Sequence, residues 1–136
     1  MSLFKTFEIA ATGVAAQSQR LNTTASNLAN AESAAGPNAQ AYKARHVVFQ
    51  TSQLDRRDAR SAGVKVSTVV EDSTPPRRVH DPKHPLADGE GYVTLPNVNV
   101  AEEMVDMLSA SRSYQSNLEV MTTARQLMLK TLEMGS

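Results

Sequence analysis

Two histidines four residues apart, His80 and His84, are the side chains whose spacing could serve metal chemistry in this sequence. Asp81 and Asp88 lie nearby and could add carboxylate ligands. The spacing places both imidazoles on one face only in a helix, and Pro82 between them opposes a helix. The residues therefore favour a proline-rigidified loop in which His and Asp side chains cap turns. We expect no metal and no other cofactor here.

Other sequence motifs of catalysis are weak. Gly89-Glu90-Gly91 is too short for a dinucleotide fingerprint, and the sequence has neither a Walker motif nor a nucleophile elbow. The formal net charge is zero, which gives no field to attract nucleic acid. We therefore expect no enzyme, no small-molecule substrate and no nucleic-acid partner. A metal-dependent enzyme that uses His80 and His84 is an alternative that a metal assay would test.

The last third of the chain carries a long helical pattern. Positions taken alternately four and three residues apart from Val100 are mostly apolar, a period of 3.5 residues typical of coiled-coil helices. Asn99 is placed to cap this helix, with Glu102 to complete a capping box, and Gly135 is placed to end it. We name these positions the C-terminal seam: Val100, Met104, Met107, Ser111, Tyr114, Leu118, Met121, Arg125, Met128 and Leu132.

Residues 3–30 show the same spacing, with Ser2 placed to cap the start. Gly13 weakens this helix by about 1 kcal/mol relative to alanine, and its second half is rich in Asn, Thr and Ser. We therefore expect the helix to form fully only when it is packed against a partner. The N-terminal seam consists of Phe4, Phe7, Ala11, Val14, Ser18, Leu21, Ala25 and Leu28.

Between the two helical segments the pattern changes to short strands. Alternation predicts strands at 42–49 and 64–70, with a short strand near Arg77 resuming that sheet after Pro75 and Pro76, and a last one at 92–95. The predicted fold is therefore α+β and mainly α: long N- and C-terminal helices packed as an antiparallel, coiled-coil-like pair, with a small β region between them. The predicted units are an N-terminal helix in 1–33, a loop and small β domain in 34–96, and a C-terminal helix in 97–136.

Two stretches bear a family resemblance. The run Asn27-Leu28-Ala29-Asn30, about two dozen residues after the start, resembles the N-terminal signature of the bacterial flagellar rod and hook family. The run from Asp81-Pro82 through Pro96-Asn97-Val98 to the Tyr-Gln-Ser-Asn stretch at 114–117 is similar to proximal rod components of that family. The motif residues are Asn27, Leu28, Ala29, Asn30, Pro96, Asn97 and Val98.

The resemblance implies a structural subunit of the flagellar basal-body rod, the drive shaft across the periplasm. It implies that the protein is made in the cytoplasm, exported by the flagellar type III apparatus without signal-peptide cleavage, and assembled into a helical tube that transmits torque. The implied partners are copies of the chain, other rod proteins, an adaptor between the rod base and the MS ring, and the export apparatus.

We expect the assembly interface to draw on the apolar side chains of both helices. These are Phe4, Phe7, Val14, Leu21, Leu28, Met104, Met107, Leu108, Tyr114, Leu118, Met121, Met128 and Leu132. The alternative is a cytoplasmic helical adaptor that binds a partner's amphipathic helix, because an adaptable methionine-bearing face suits that role too. An adaptor would stay in the cytoplasm as a small oligomer of defined size.

Overall fold

The computed structural model describes residues 2–135. The outer limits of the predicted N-terminal and C-terminal units, residues 1 and 136, lie outside this range. Two long helices dominate the structure: α1, Leu3–Ala29, and α2, Val100–Met134. Both helices begin at the predicted caps. The Ser2 hydroxyl accepts from the Lys5 N–H at 3.2 Å, and the Asn99 side chain accepts from the Glu102 N–H at 3.2 Å.

The helices pack antiparallel: Asn27 near the end of α1 contacts Glu103 near the start of α2, and Gly13 in the middle of α1 lies against Asn117 further along α2. The contact is close, since a Cβ atom on Gly13 would lie 2.8 Å from the Asn117 side chain. In this register Leu3 lies level with Leu127, so the last turns of α2 extend beyond the start of α1. The predicted helical pair is confirmed.

The face of α2 that packs on α1 differs from the predicted seam. Its buried residues are Glu103, Ala110 and Ala124, which are separated by multiples of seven residues and each precede a residue of the C-terminal seam by one position. The small side chains of Ala110 and Ala124 let the backbones approach, as Ala10, Gly13 and Ala16 do on α1. The exposed members of the seam, Val100, Met104, Leu118, Arg125 and Leu132, are therefore not buried against α1, and their contact with a neighbouring subunit stays a prediction.

The first β unit is an antiparallel hairpin of β1, Arg45–Gln53, and β2, Ala62–Glu71, with a register irregularity after Val48. It packs on α1, where the Thr12 hydroxyl accepts from the Val64 N–H at 3.1 Å. Gly63 permits this approach, because a Cβ atom there would lie 2.5 Å from the Thr12 hydroxyl. At the hairpin tip, the Lys5 ammonium pairs with the Asp55 carboxylate at 2.8 Å.

The second β unit is a separate sheet of β3, Arg77–His80, and β4, Tyr92–Leu95, also antiparallel. The prediction that residues near Arg77 resume the first sheet is therefore wrong. The chain around Pro75 and Pro76 separates the two sheets, since proline cannot donate to a ladder. The strand that was predicted to begin at Tyr42 begins at Arg45. Before it, the Tyr42 hydroxyl and the Ala44 N–H donate to the side-chain amide oxygens of two asparagines instead of joining the sheet.

A small core lies where the β units meet the helices. Ala31, Ala44 and Val98 are buried there, and Tyr42 packs against them. The division into 1–33, 34–96 and 97–136 stays a prediction. Within residues 2–135, no helix combines the length and apolar character needed to cross a bilayer.

Candidate assembly interface

Asn27 is the polar centre of the junction between the helices and the first β unit. Its side chain is fully buried and uses its full hydrogen-bonding capacity. The amide nitrogen donates to the Arg45 carbonyl at 2.8 Å and to the Glu103 carboxylate at 3.1 Å. The amide oxygen accepts from the Tyr42 hydroxyl at 2.8 Å and from the Arg45 N–H at 3.0 Å. One side chain thus fixes α1, α2 and the start of β1 relative to one another.

Asn97 makes the equivalent connection just before α2. Its amide oxygen accepts from the Ala44 N–H at 2.8 Å. Its amide nitrogen donates to the carbonyls of Asp72 and Thr74, at 3.0 and 2.8 Å. Asn97 therefore holds the entry of β1 and the exit of β2 beside the chain that leads into α2.

The other motif residues support these two asparagines. Pro96 and Val98, which flank Asn97, are buried. Asn30 follows the last residue of α1 and donates from its amide to the Ser26 carbonyl at 2.9 Å. Leu28 is half-buried and Ala29 is exposed. In the structure, residues 27–30 lie at the end of α1 and connect it to the start of β1, while residues 96–98 connect the β units to the start of α2.

The surface of α2 away from α1 leaves large apolar side chains in solvent. Met104, Val105 and Leu108 form a first apolar patch, because residues three and four apart are neighbours on a helix. Leu108 is 67% exposed. Leu129 and Leu132 form a second apolar patch on the part of α2 that extends past α1, and Leu132 is 71% exposed. Exposed apolar patches of this kind mark interaction surfaces.

The predicted interface residues fall into two groups. The exposed group has large side chains in solvent: Phe4, Met104, Leu108, Leu118 and Leu132. The half-buried group lies at least partly within the monomer: Phe7, Val14, Leu21, Leu28, Met107, Tyr114, Met121 and Met128. The exposed group therefore offers a larger share of its surface to a neighbouring subunit than the half-buried group does. The involvement of either group in assembly stays a prediction.

The two histidines that invited a metal interpretation have local roles. The His80 ring packs edge-on against the Tyr92 ring, with centroids 4.9 Å apart. The His84 Nδ1 atom accepts from the Leu86 N–H at 3.0 Å. Asp88 accepts from the N–H groups of Glu90 and Tyr92, both at 2.9 Å. These bonds are the turn caps that the proline-rich sequence predicted.

The sequence pattern did not indicate that Glu103 is buried at the junction. An acidic residue in the first turn of a helix is ordinary, since the helix dipole favours it there. In the structure this side chain is only 4% exposed and binds Asn27, which is 76 positions away in sequence. The signal that could have found it is the seven-residue spacing of Glu103 with the small residues Ala110 and Ala124.

The structure is thus a helical pair with some large apolar side chains in solvent, joined to the first β unit by two asparagine junctions. Two family models match the chain: "Flagella basal body rod protein" over residues 7–37, and "Flagellar basal body rod FlgEFG protein C-terminal" over residues 90–134.

Three curated relatives match along nearly their whole length, and each is described as "Flagellar basal-body rod protein FlgC". The protein of Escherichia coli O6:H1 is 52% identical over 99% of both chains. That of Salmonella typhimurium is 51% identical over 99% of both chains, and that of Buchnera aphidicola from Acyrthosiphon pisum is 42% identical over 97% of both. The chain belongs to the FlgC family of flagellar basal-body rod proteins.

Replacing Asn27 with aspartate should destabilise the protein strongly. The variant Asn27→Asp loses both amide donors and places a second carboxylate against the buried Glu103. We expect the free energy of unfolding, measured by urea denaturation, to fall by about 3 kcal/mol or more.

The matched control is Asn22→Asp, an exposed position of the same helix, which should change stability by no more than about 0.5 kcal/mol. Adding Glu103→Gln to Asn27→Asp supplies a donor to the new carboxylate and should restore part of the loss. Equal effects of Asn27→Asp and Asn22→Asp would show that the junction does not depend on this network.

The Asp88 carboxylate should become protonated at a lower pH than an ordinary aspartate. The Tyr92 N–H, more than the Arg78 guanidinium, lowers the pKa of the Asp88 carboxyl below its ordinary value of 3.8. Because the folded pKa is the lower one, the stabilisation is present above the unfolded pKa and is lost as the pH falls through the folded pKa. Carbon NMR should therefore give a pKa below 3.8 in the folded protein. Arg78→Gln should leave most of this shift, and an ordinary pKa in the native chain would mean that these bonds do not form.

Proposed function

We propose that this chain is a structural subunit of the flagellar rod and that the exposed apolar side chains of α2 bind neighbouring subunits. The observation that supports this most directly is the first apolar patch, Met104, Val105 and Leu108, on a helix of about 50 Å. A helix of that length with unburied apolar residues is unusual for a monomer of this size. Burying one such leucine or methionine contributes about 1.5–3 kcal/mol.

We propose that the contacts are head-to-tail rather than two-fold. A heterologous contact whose rotation does not close generates an open helical assembly, which is the geometry a shaft requires. The two apolar patches lie near opposite ends of α2. They could therefore serve different neighbours along the shaft, either copies of this chain or other rod proteins. Such a role involves packing alone and no catalysis.

We also propose that the chain crosses into the periplasm through the flagellar type III apparatus and meets the adaptor that joins the rod base to the MS ring. Transport through a narrow channel requires easy unfolding. The second half of α1 suits this requirement, because its Asn, Thr and Ser residues are moderate helix formers. The same helix becomes stable once neighbours cover it, so assembly and export need not conflict.

Placing a charge on the first apolar patch should prevent incorporation into the rod. Leu108 is mostly in solvent, so Leu108→Asp should leave the free protein as stable as the native chain. In a subunit interface the same carboxylate would be buried without a partner, at a cost of several kcal/mol. We expect a strain that carries only this variant to lose swimming in soft agar.

Asn38→Asp is the control, because it adds the same charge at an exposed position in the loop before β1, outside α2. Quantitative mass spectrometry of purified hook–basal bodies should find the native chain and the control at fixed stoichiometry, and Leu108→Asp absent. Normal swimming of Leu108→Asp would refute the role of the patch. Absence of the native chain from basal bodies, with a small oligomer in the cytoplasm, would support an adaptor instead.

A further inference from the structure

Three side chains that no motif connects converge beside the Asn27 junction. His46 lies in β1, and Glu103 and Asp106 lie in the first turns of α2. One potential ligand atom from each residue lies within 4.8 Å of the other two. A point between three atoms at this spacing is at most about 2.8 Å from each, so small side-chain rotations would reach the 2.0–2.2 Å bonds of zinc.

Glu103 gives this cluster an unmet charge. The residue is only 4% exposed, and in the part of the chain that the structure describes the one hydrogen bond of its carboxylate is to the neutral amide of Asn27. Within residues 2–135, no Lys, Arg or His nitrogen lies within 4.0 Å of it. A buried carboxylate without a cation is costly, and metal coordination is one of the ways in which proteins compensate for it.

Both carboxylates also have an outer partner that would orient them. The Asn27 amide holds Oε2 of Glu103 and leaves Oε1 free, and the Arg20 guanidinium holds Oδ1 of Asp106 at 3.0 Å. The Nε2 atom of His46 lies 3.8 Å from the Asp72 carboxylate, too far for a direct hydrogen bond. Hydrogen-bonded carboxylates are part of the outer-shell pattern of metal sites.

We propose that His46, Glu103 and Asp106 bind a first-row divalent cation, with Zn²⁺ as the best match to one imidazole and two carboxylates. Three protein ligands leave a further coordination position for water or for a side chain of a neighbour. The ion would join β1 to α2 across the junction that Asn27 already forms. It would therefore stiffen the connection between the β hairpin and the helical pair.

The test is titration of the tag-free, chelator-treated protein with Zn²⁺, followed by calorimetry. We expect one ion per chain, and a Kd that rises at least about tenfold in His46→Ala and in Glu103→Gln, since even outer-shell changes cost that much. His46 is half exposed and Gln can still accept from Asn27, so both variants should fold. As a second measurement, paramagnetic Co²⁺ should broaden the NMR signals of the His46 ring before those of the other two histidines.

The chain offers a matched control in its other two histidines. His80→Ala combined with His84→Ala should bind Zn²⁺ as the native protein does, because those rings lie outside the cluster. Binding that is unchanged in His46→Ala, or that is lost in the His80/His84 double variant, would overturn the proposal. Failure of the native chain to bind Zn²⁺ would also overturn it and would leave the three residues as a hydrogen-bond and ion-pair network only.

Discussion

The burial of the Asn27 amide is the constraint on which the rest of the structure depends. A buried amide is costly unless each donor and acceptor is satisfied, and here the four hydrogen bonds join α1 to two other parts of the chain, residues 42–45 and the first turn of α2. The network can close only when α1, α2 and the start of β1 are all in place. It therefore selects one arrangement of helices and hairpin, a specificity that small apolar contacts between Ala and Gly residues would not give.

The same structure separates the contacts that hold the monomer from those available to an assembly. Small residues fill the closest contact between α1 and α2, and several large apolar side chains of α2, such as Met104, Leu108 and Leu132, remain largely in solvent. The monomer therefore gains little stability from these exposed side chains. Such a division suits a subunit of an assembly, because the apolar side chains left in solvent can be buried by neighbours.

The sequence predicts the elements well, because long 3.5-residue patterns, caps and alternation are local signals. It places Ser2 and Asn99 correctly as caps and finds all four strands within a few residues. It does not show which residues of α2 are buried in the single chain, because hydrophobicity points to Met104 and Leu118, whereas the buried residues are Glu103 and Ala110. The sequence also gives no indication of the Asn27–Glu103 hydrogen bond or of the approach of His46 to α2, because contacts between residues so far apart in the chain produce no local pattern.

Cysteine labelling would show whether assembly buries the outer face of α2. The natural chain has no cysteine, so each introduced thiol would be the single labelling site. Leu108→Cys and, as an exposed reference, Glu90→Cys would each be labelled with a maleimide in the free protein and in purified basal bodies. We expect assembly to slow the rate of labelling at position 108 by about tenfold or more and to leave the rate at position 90 nearly unchanged. Equal labelling of Leu108→Cys in the two states would contradict it.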